Sequence, residues 1–196
     1  MRVRGVAKIL QRRLQQLYAL EDSPCVSEFV TLAAPGERET LLLRQLPEDF
    51  VELRLVVPDC PLSDALVPSR LSDAYLQLLE GVSHFVLVAE RIRAGRPTCQ
   101  LELELQAEVD KLVLIEHCCQ QLGPGGAAVL HHKLYERVSF LHPEGTEQGD
   151  RYRLANRLAA RFTKRLPALS PRARRELLRR FYRVGLSDKM HLAQAA

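Results

Sequence analysis

Apolar residues recur at helical spacing from the start of the chain. Val6, Ile9, Leu10, Leu14 and Leu17 line one side of residues 1–20, and Arg2, Arg4, Lys8, Arg12 and Arg13 occupy the rest without a single acid. The period changes after Ser23-Pro24. Val26 to Leu32, Thr40 to Leu46 and Phe50 to Val57 are short β-branched or leucine-rich runs, separated by Ala34-Pro35-Gly36 and Pro47-Glu48-Asp49. They predict a three-stranded antiparallel meander. In the third run Val51, Leu53, Leu55 and Val57 alternate with Glu52 and Arg54, the pattern of a strand with one buried and one wet face. The first helix is the nearest cover for that buried face.

An irregular connector, Pro58 to Pro68, leads into a pattern that is helical to the end. Ser69 or Ser72 caps a helix reaching about Arg93, and Gly95-Arg96-Pro97-Thr98 joins it to an antiparallel partner over Cys99 to Leu122. Gly123-Pro124-Gly125-Gly126 is a break, Ala127 to Leu141 a further helix, and His142 to Gly149 a loop. Asp150 caps a helix to about Leu166; Ser170-Pro171 opens the last helix and Gly185 closes it. The expected fold is mainly α, of the α+β class: about four to five bundled helices with a small antiparallel sheet near the N-terminus. One domain is expected over 1–196, with a helix-plus-meander lobe at 1–57, a helical bundle at 69–185 and a frayed tail at 186–196.

At 196 residues and 46% hydrophobic content the chain has ample material for a core. No uncharged apolar run reaches 18 residues, so no membrane-spanning helix is expected. Residues 1–20 lack the continuous apolar stretch of a secretory signal and read as an ordinary first helix rather than a transit peptide or membrane-surface helix. The five cysteines are odd in number and form no CxxC pair, which points to a reducing cytoplasm. Cys118 and Cys119, next to His117, lack the paired grouping of a structural zinc site.

Charge changes the picture. Residues 151–196 carry 13 Lys and Arg against only Glu176 and Asp188, whereas the first 150 residues are net acidic. Arg153, Arg157, Arg161 and Lys164 recur on one face of one helix, and Arg172, Arg175, Arg179 and Arg183 on one face of the next. Two such ridges suit an acidic partner, either another protein or a second copy of this chain; nucleic acid is the alternative, with Tyr152 and Tyr182 available for stacking. Internal docking onto acids of the central hairpin, including Asp73, Glu80, Glu90, Glu102, Glu104, Glu108, Asp110 and Glu116, is the structural counterpart.

One carboxylate is out of place. On a helical wheel Glu108 falls inside the stripe Leu101, Leu105, Leu112, Ile115 and Cys119, flanked by Glu104 and Glu116. A buried carboxylate needs a counter-charge, and Arg153 or Arg157 is the expected one. Glu104, Glu108 and Glu116 are also the candidate ligands of a carboxylate metal site, although the ExxH pair of two-metal bundles is missing. Glu80 and His84 stand four apart on what reads as the polar face opposite Tyr75, Leu78, Val82, Phe85 and Ala89. Adjacent His131 and His132 point too far apart to chelate together and read as surface residues. Phosphate-loop, nucleophile-elbow, HExxH, dinucleotide and kinase motifs are all missing, so no catalytic residue or cofactor is assigned. The leading expectation is a non-catalytic binding or regulatory protein that uses its Arg-rich C-terminal helices; nucleic-acid binding and a small metal-dependent enzyme centred on Glu108 are the alternatives.

Overall fold

A computed structural model describes residues 3–21, 23–49, 51–59, 72–118 and 123–195. Arg2, Phe50, Cys60, Ser69, Cys119, Leu122 and most of the Pro58–Pro68 connector lie outside the described residues. Helix α1 (Val3–Tyr18) buries Val3, Val6, Ala7, Leu10, Leu14 and Tyr18, the stripe that its apolar spacing dictates. A single turn, α2 (Val26–Phe29), leads into β1 (Val30–Leu32), followed by β2 (Thr40–Gln45) and β3 (Val51–Val57).

The strands do not form an antiparallel meander. Their order is β1-β3-β2, with β1 parallel to β3 (Val30 opposite Leu55) and β2 antiparallel to it (Leu41 opposite Leu55). Val26–Phe29 is spent on a helical turn, leaving the first run only three strand residues. The segment after β1 then carries the chain past β3 to its far edge. The central place goes to the run with the cleanest alternation: Leu55 and Val57 are fully buried. The sheet lies against the next helix rather than mainly on α1, which reaches it through the Arg4 guanidinium donating to the Val30 carbonyl at 3.0 Å.

That next helix, α3 (Asp73–Arg93), starts at Ser72, whose Oγ accepts from the Tyr75 N–H at 3.2 Å. Gly95 takes the left-handed conformation (φ +59°) that lets the chain reverse into α4 (Gln100–Cys118). Helix α5 (Gly123–Tyr135) begins at the glycine-rich stretch read as a break, and it stops six residues short of Leu141. Thr146, not Asp150, caps α6 (Glu147–Lys164), its hydroxyl accepting from the Gly149 N–H at 3.1 Å. Asp150 instead reaches back to the Gly145 N–H at 2.9 Å, so the residue read as the cap holds the preceding loop. A 3₁₀ turn, Leu166–Ala168, precedes α7 (Pro171–Arg183), which Ser170 caps as expected.

The frayed tail is a helix. In α8 (Leu186–Gln194), Ala193 is buried and Lys189 is fully so. The described residues thus hold eight helices rather than four or five, and none is long and apolar enough to cross a membrane. One continuous apolar cluster runs from Val3 through Leu55 and Phe85 to Ala193. Tyr18 stacks on Tyr182 (centroids 4.2 Å apart) and Phe162 on Phe181 (4.0 Å).

Helix α4 lies at the centre, packed against α3 on one side and α6 on another. It has no wet face over most of its length, so its polar residues are inside: Glu102, Glu104, Gln106, Asp110 and Lys111 are all buried. They are held by a chain of partners. Asp110 accepts from the Tyr18 hydroxyl, from Ser83 Oγ at 2.6 Å and from the Gln106 amide at 2.9 Å. Lys189 Nζ donates to Gln106 Oε1 at 2.8 Å and lies 3.4 Å from Glu102. Arg91 meets Glu102 at 2.5 Å and also donates to the carbonyls of Tyr182, Arg183 and Val184 at the end of α7. These carbonyls form the negative end of a helix dipole, where a cation is favoured.

Removing one member of such a network leaves an uncompensated buried charge. Glu102→Ala, which strands Arg91 and Lys189, is expected to cost about 3–5 kcal/mol in urea unfolding. Deletion of residues 186–196 is expected to lower the unfolding midpoint substantially; a dispensable tail would leave it unchanged.

Candidate functional site

The eight cations expected to form the ridge divide into two groups. Arg157, Arg161, Lys164, Arg172, Arg175 and Arg183 are exposed. Arg172 pairs with Glu176 on its own helix at 2.9 Å, while the side chains of the other five meet no hydrogen-bonding or ionic partner among the described residues. Arg180, which periodicity did not single out, is exposed and free as well. Arg153 and Arg179 turn to structural work: Arg153 donates to the carbonyls of His142 and Gly149 at 3.0 Å, and Arg179 to that of Leu17 at 3.0 Å.

Internal docking takes little of this charge. Of the hairpin acids, Glu116 meets a cation of α7, Arg174, in a two-point ion pair; Glu102 meets Lys189 of α8. The others find partners nearer by or are buried. Arg174 and Arg175 border a cleft of about 420 Å³ between α1, α4 and α7, floored by Leu17, Val113 and Leu178. Tyr182 is buried against Tyr18, and Tyr152 is half-buried beside the His142 ring. Neither is presented for base stacking.

Glu108 has an ion-pair partner, but it is Lys111 at 2.8 Å on the same helix, not Arg153 or Arg157. Lys111 also meets Glu80 at 2.6 Å. The face of α3 that reads as polar is turned inward here, because α4 and the segment entering β2 close over it. His84 is only 8% exposed. Its Nδ1 lies 3.5 Å from Glu39 Oε1 and its Nε2 lies 3.9 Å from Glu104 Oε2. Glu80, His84 and Glu104 each bring a ligand-type atom within 4.8 Å of the others. A pocket of about 240 Å³, lined by Arg38, Glu39, Glu80, Tyr152 and His142 among others, adjoins them.

The structure therefore places Glu104 in a cluster with Glu80 and His84, leaves Glu108 at the rim with Lys111, and pairs Glu116 with Arg174 some distance along α4. Glu39 was not legible as a member, since nothing local marks it. The one available signal was the i,i+4 spacing of Glu80 and His84, which places both on one helical face.

Gly81 makes the approach of Glu39 feasible. A Cβ there would stand 2.8 Å from Glu39 Cγ, 2.9 Å from its Oε1 and 2.7 Å from Leu55 Cδ1. The electrostatics follow from burial and neighbours. Burial disfavours the charged His84 ring, but Glu39, Glu104 and Glu80 outweigh it and hold its pKa up at about 9. Burial lifts the Glu104 carboxyl to about 7 against the pull of His84, whereas at Glu80 the desolvation is outweighed by Lys111 and the carboxyl lies below its ordinary value. Burial depresses Lys189 to about 8.

No family model matches the chain, no curated protein matches it, and no solved structure matches its fold.

Between pH 6.5 and 9 the folded protein keeps the His84 proton that the unfolded chain releases, so stability present below pH 6.5 is lost as pH rises. Lys189 acts with the opposite sign, but only from about pH 8 upward. In chelator, the thermal midpoint is expected to fall from pH 6.5 to 8, and His84→Asn to flatten that slope. Ala ordinarily gains about 1 kcal/mol over Gly inside a helix. Gly81→Ala is nonetheless expected to destabilise, because Leu55 and Glu39 must both move; a raised midpoint in thermal unfolding would contradict the close approach.

Proposed function

We propose that this chain is a binding protein that engages an acidic protein surface through the exposed cations of α6 and α7. The observation that carries the reading is that Arg157, Arg161, Lys164, Arg175, Arg180 and Arg183 are exposed and free of partners among the described residues. Cations placed so are available for charge-steered association, which accelerates encounter and weakens as salt rises. An acidic protein is favoured over nucleic acid by two features. The cleft beside Arg174 and Arg175 has an apolar floor suited to a side chain, and the tyrosines available for base stacking are turned inward. A second copy of the chain is a less fitting partner, because most of its hairpin acids are buried or already paired and its exposed acids, such as Glu28, Glu52 and Glu144, are scattered along the chain.

Retention on immobilised polyglutamate, heparin and double-stranded DNA, measured across a salt series, tests the reading. Polyglutamate and heparin are expected to hold the protein at low salt, and the combined variant Arg157→Ala, Arg161→Ala, Arg175→Ala and Arg180→Ala to elute at much lower salt. Exposed charges of this kind usually shift stability by less than about 0.5 kcal/mol each, so the variant is expected to unfold near the wild-type midpoint. Unchanged retention of the variant would refute the proposal; much stronger retention on DNA than on polyglutamate would transfer the surface to nucleic acid.

A further inference from the structure

Two buried atoms around His84 lack the partners that their burial calls for. Nε2 of the ring accepts and donates no hydrogen bond, and neither does Glu39 Oε1. The nearest carboxylate oxygens, 3.5 and 3.9 Å from the ring nitrogens, stand beyond ordinary hydrogen-bond reach. An unsatisfied buried polar group costs about 1–3 kcal/mol, so the bare Nε2, turned toward Glu104 and away from Glu39, points to something that fills the space between them.

We infer that Glu80, His84 and Glu104 form a binding site for a single divalent first-row metal ion, with His84 Nε2 and one oxygen of each carboxylate as its protein ligands. Ligands about 2.0–2.2 Å from one ion stand roughly 3–3.5 Å apart, and the Nε2–Glu104 separation of 3.9 Å is within a few tenths of an ångström of that range. The remaining spread, up to 4.8 Å, closes with a small side-chain movement.

The surroundings match what a metal site requires beyond its ligands. A ligating histidine ordinarily gives its other N–H to a carboxylate, which fixes the tautomer; here Glu39 faces Nδ1. Lys111 holds Glu80 at 2.6 Å, and the Tyr152 side chain neighbours Glu104. Each ligand thus has an outer partner from a different part of the fold. The adjoining pocket provides an entry path and room for water in the open coordination positions. One imidazole and two carboxylates suit Zn²⁺ or Mn²⁺ rather than Cu⁺, with Zn²⁺ the tighter of the two.

The test uses the full chain without a histidine tag, stripped with chelator, titrated with Zn²⁺ and with Mn²⁺ by calorimetry and assayed for bound metal by mass spectrometry. One ion per chain is expected, Zn²⁺ binding more tightly than Mn²⁺. Glu104→Gln and Glu80→Gln each weaken binding at least about tenfold, and Glu39→Gln by about 10–100-fold as an outer partner. The exposed pair His132 and Glu136, 2.7 Å apart, is the competing surface site, so His132→Gln should leave binding unchanged. Should Glu104→Gln fail to fold, a shift of the His84 ring resonances on adding Zn²⁺ to the wild-type protein decides the matter. Binding that disappears with His132→Gln, His84 resonances indifferent to Zn²⁺, or the lack of stoichiometric uptake at about 100 μM Zn²⁺ would each overturn the proposal and leave His84 as a cation held by carboxylates.

Discussion

The fold depends on neutralising the carboxylates of α4. Helices usually bury one stripe and wet the other, but α4 is enclosed over most of its length and brings Glu102 and Asp110 into the core. Each needs donors from elsewhere, and together these come from α1, α3 and α8, with neighbours on α4 itself. Apolar packing fixes which elements meet. The polar chain fixes their register, because Tyr18, Ser83 and Lys189 must arrive at particular oxygens while Arg91 also closes the end of α7. A buried network of this kind contributes less to net stability than an apolar core of the same volume. Its effect is to penalise alternative packings.

What the sequence made legible was local. Ser72, Gly95 and Ser170 announce element boundaries through their own backbone chemistry, and the α1 stripe announces itself through spacing. What it concealed depended on distant partners. On a wheel of α3 alone, Glu80 and His84 belong to the wet side; His84 is buried and Glu80 half-buried only because α4 and Glu39 cover them. Lys189 marks 186–196 as polar and expendable until Glu102 and Gln106 are known to await it. The mixed sheet was hidden for a related reason. Strand periodicity assigns faces but not neighbours, and three strands in sequence order do not disclose that the third lies in the middle.

The same enclosure reshapes the charge of the molecule. The acids of the α3–α4 hairpin are largely withdrawn from the surface, whereas those of the strands and loops, among them Glu37, Glu52 and Glu144, stay on it with most of the cations of α6 and α7. Formal net charge is +4, a modest figure that does not disclose how the exposed cations gather on α6 and α7. A partner arriving from solution meets the field of the exposed groups first, since buried ion pairs present little net charge to water.

Lys189 lies 83 residues beyond Gln106, the group to which it donates. Synthesis proceeds from the N-terminus, so α4 leaves the ribosome with Arg91 already present for Glu102 but well before Lys189, the second cation beside it. At about 5–20 residues per second, that interval lasts several seconds. Through it, the α3–α4 hairpin can close on its apolar residues and pair Glu102 with Arg91, but Gln106 Oε1 lacks its donor and Arg91 lacks the carbonyls at the end of α7. Final closure of the core is thus tied to the arrival of the C-terminal segment, and a chain interrupted before it keeps a charged seam open to water.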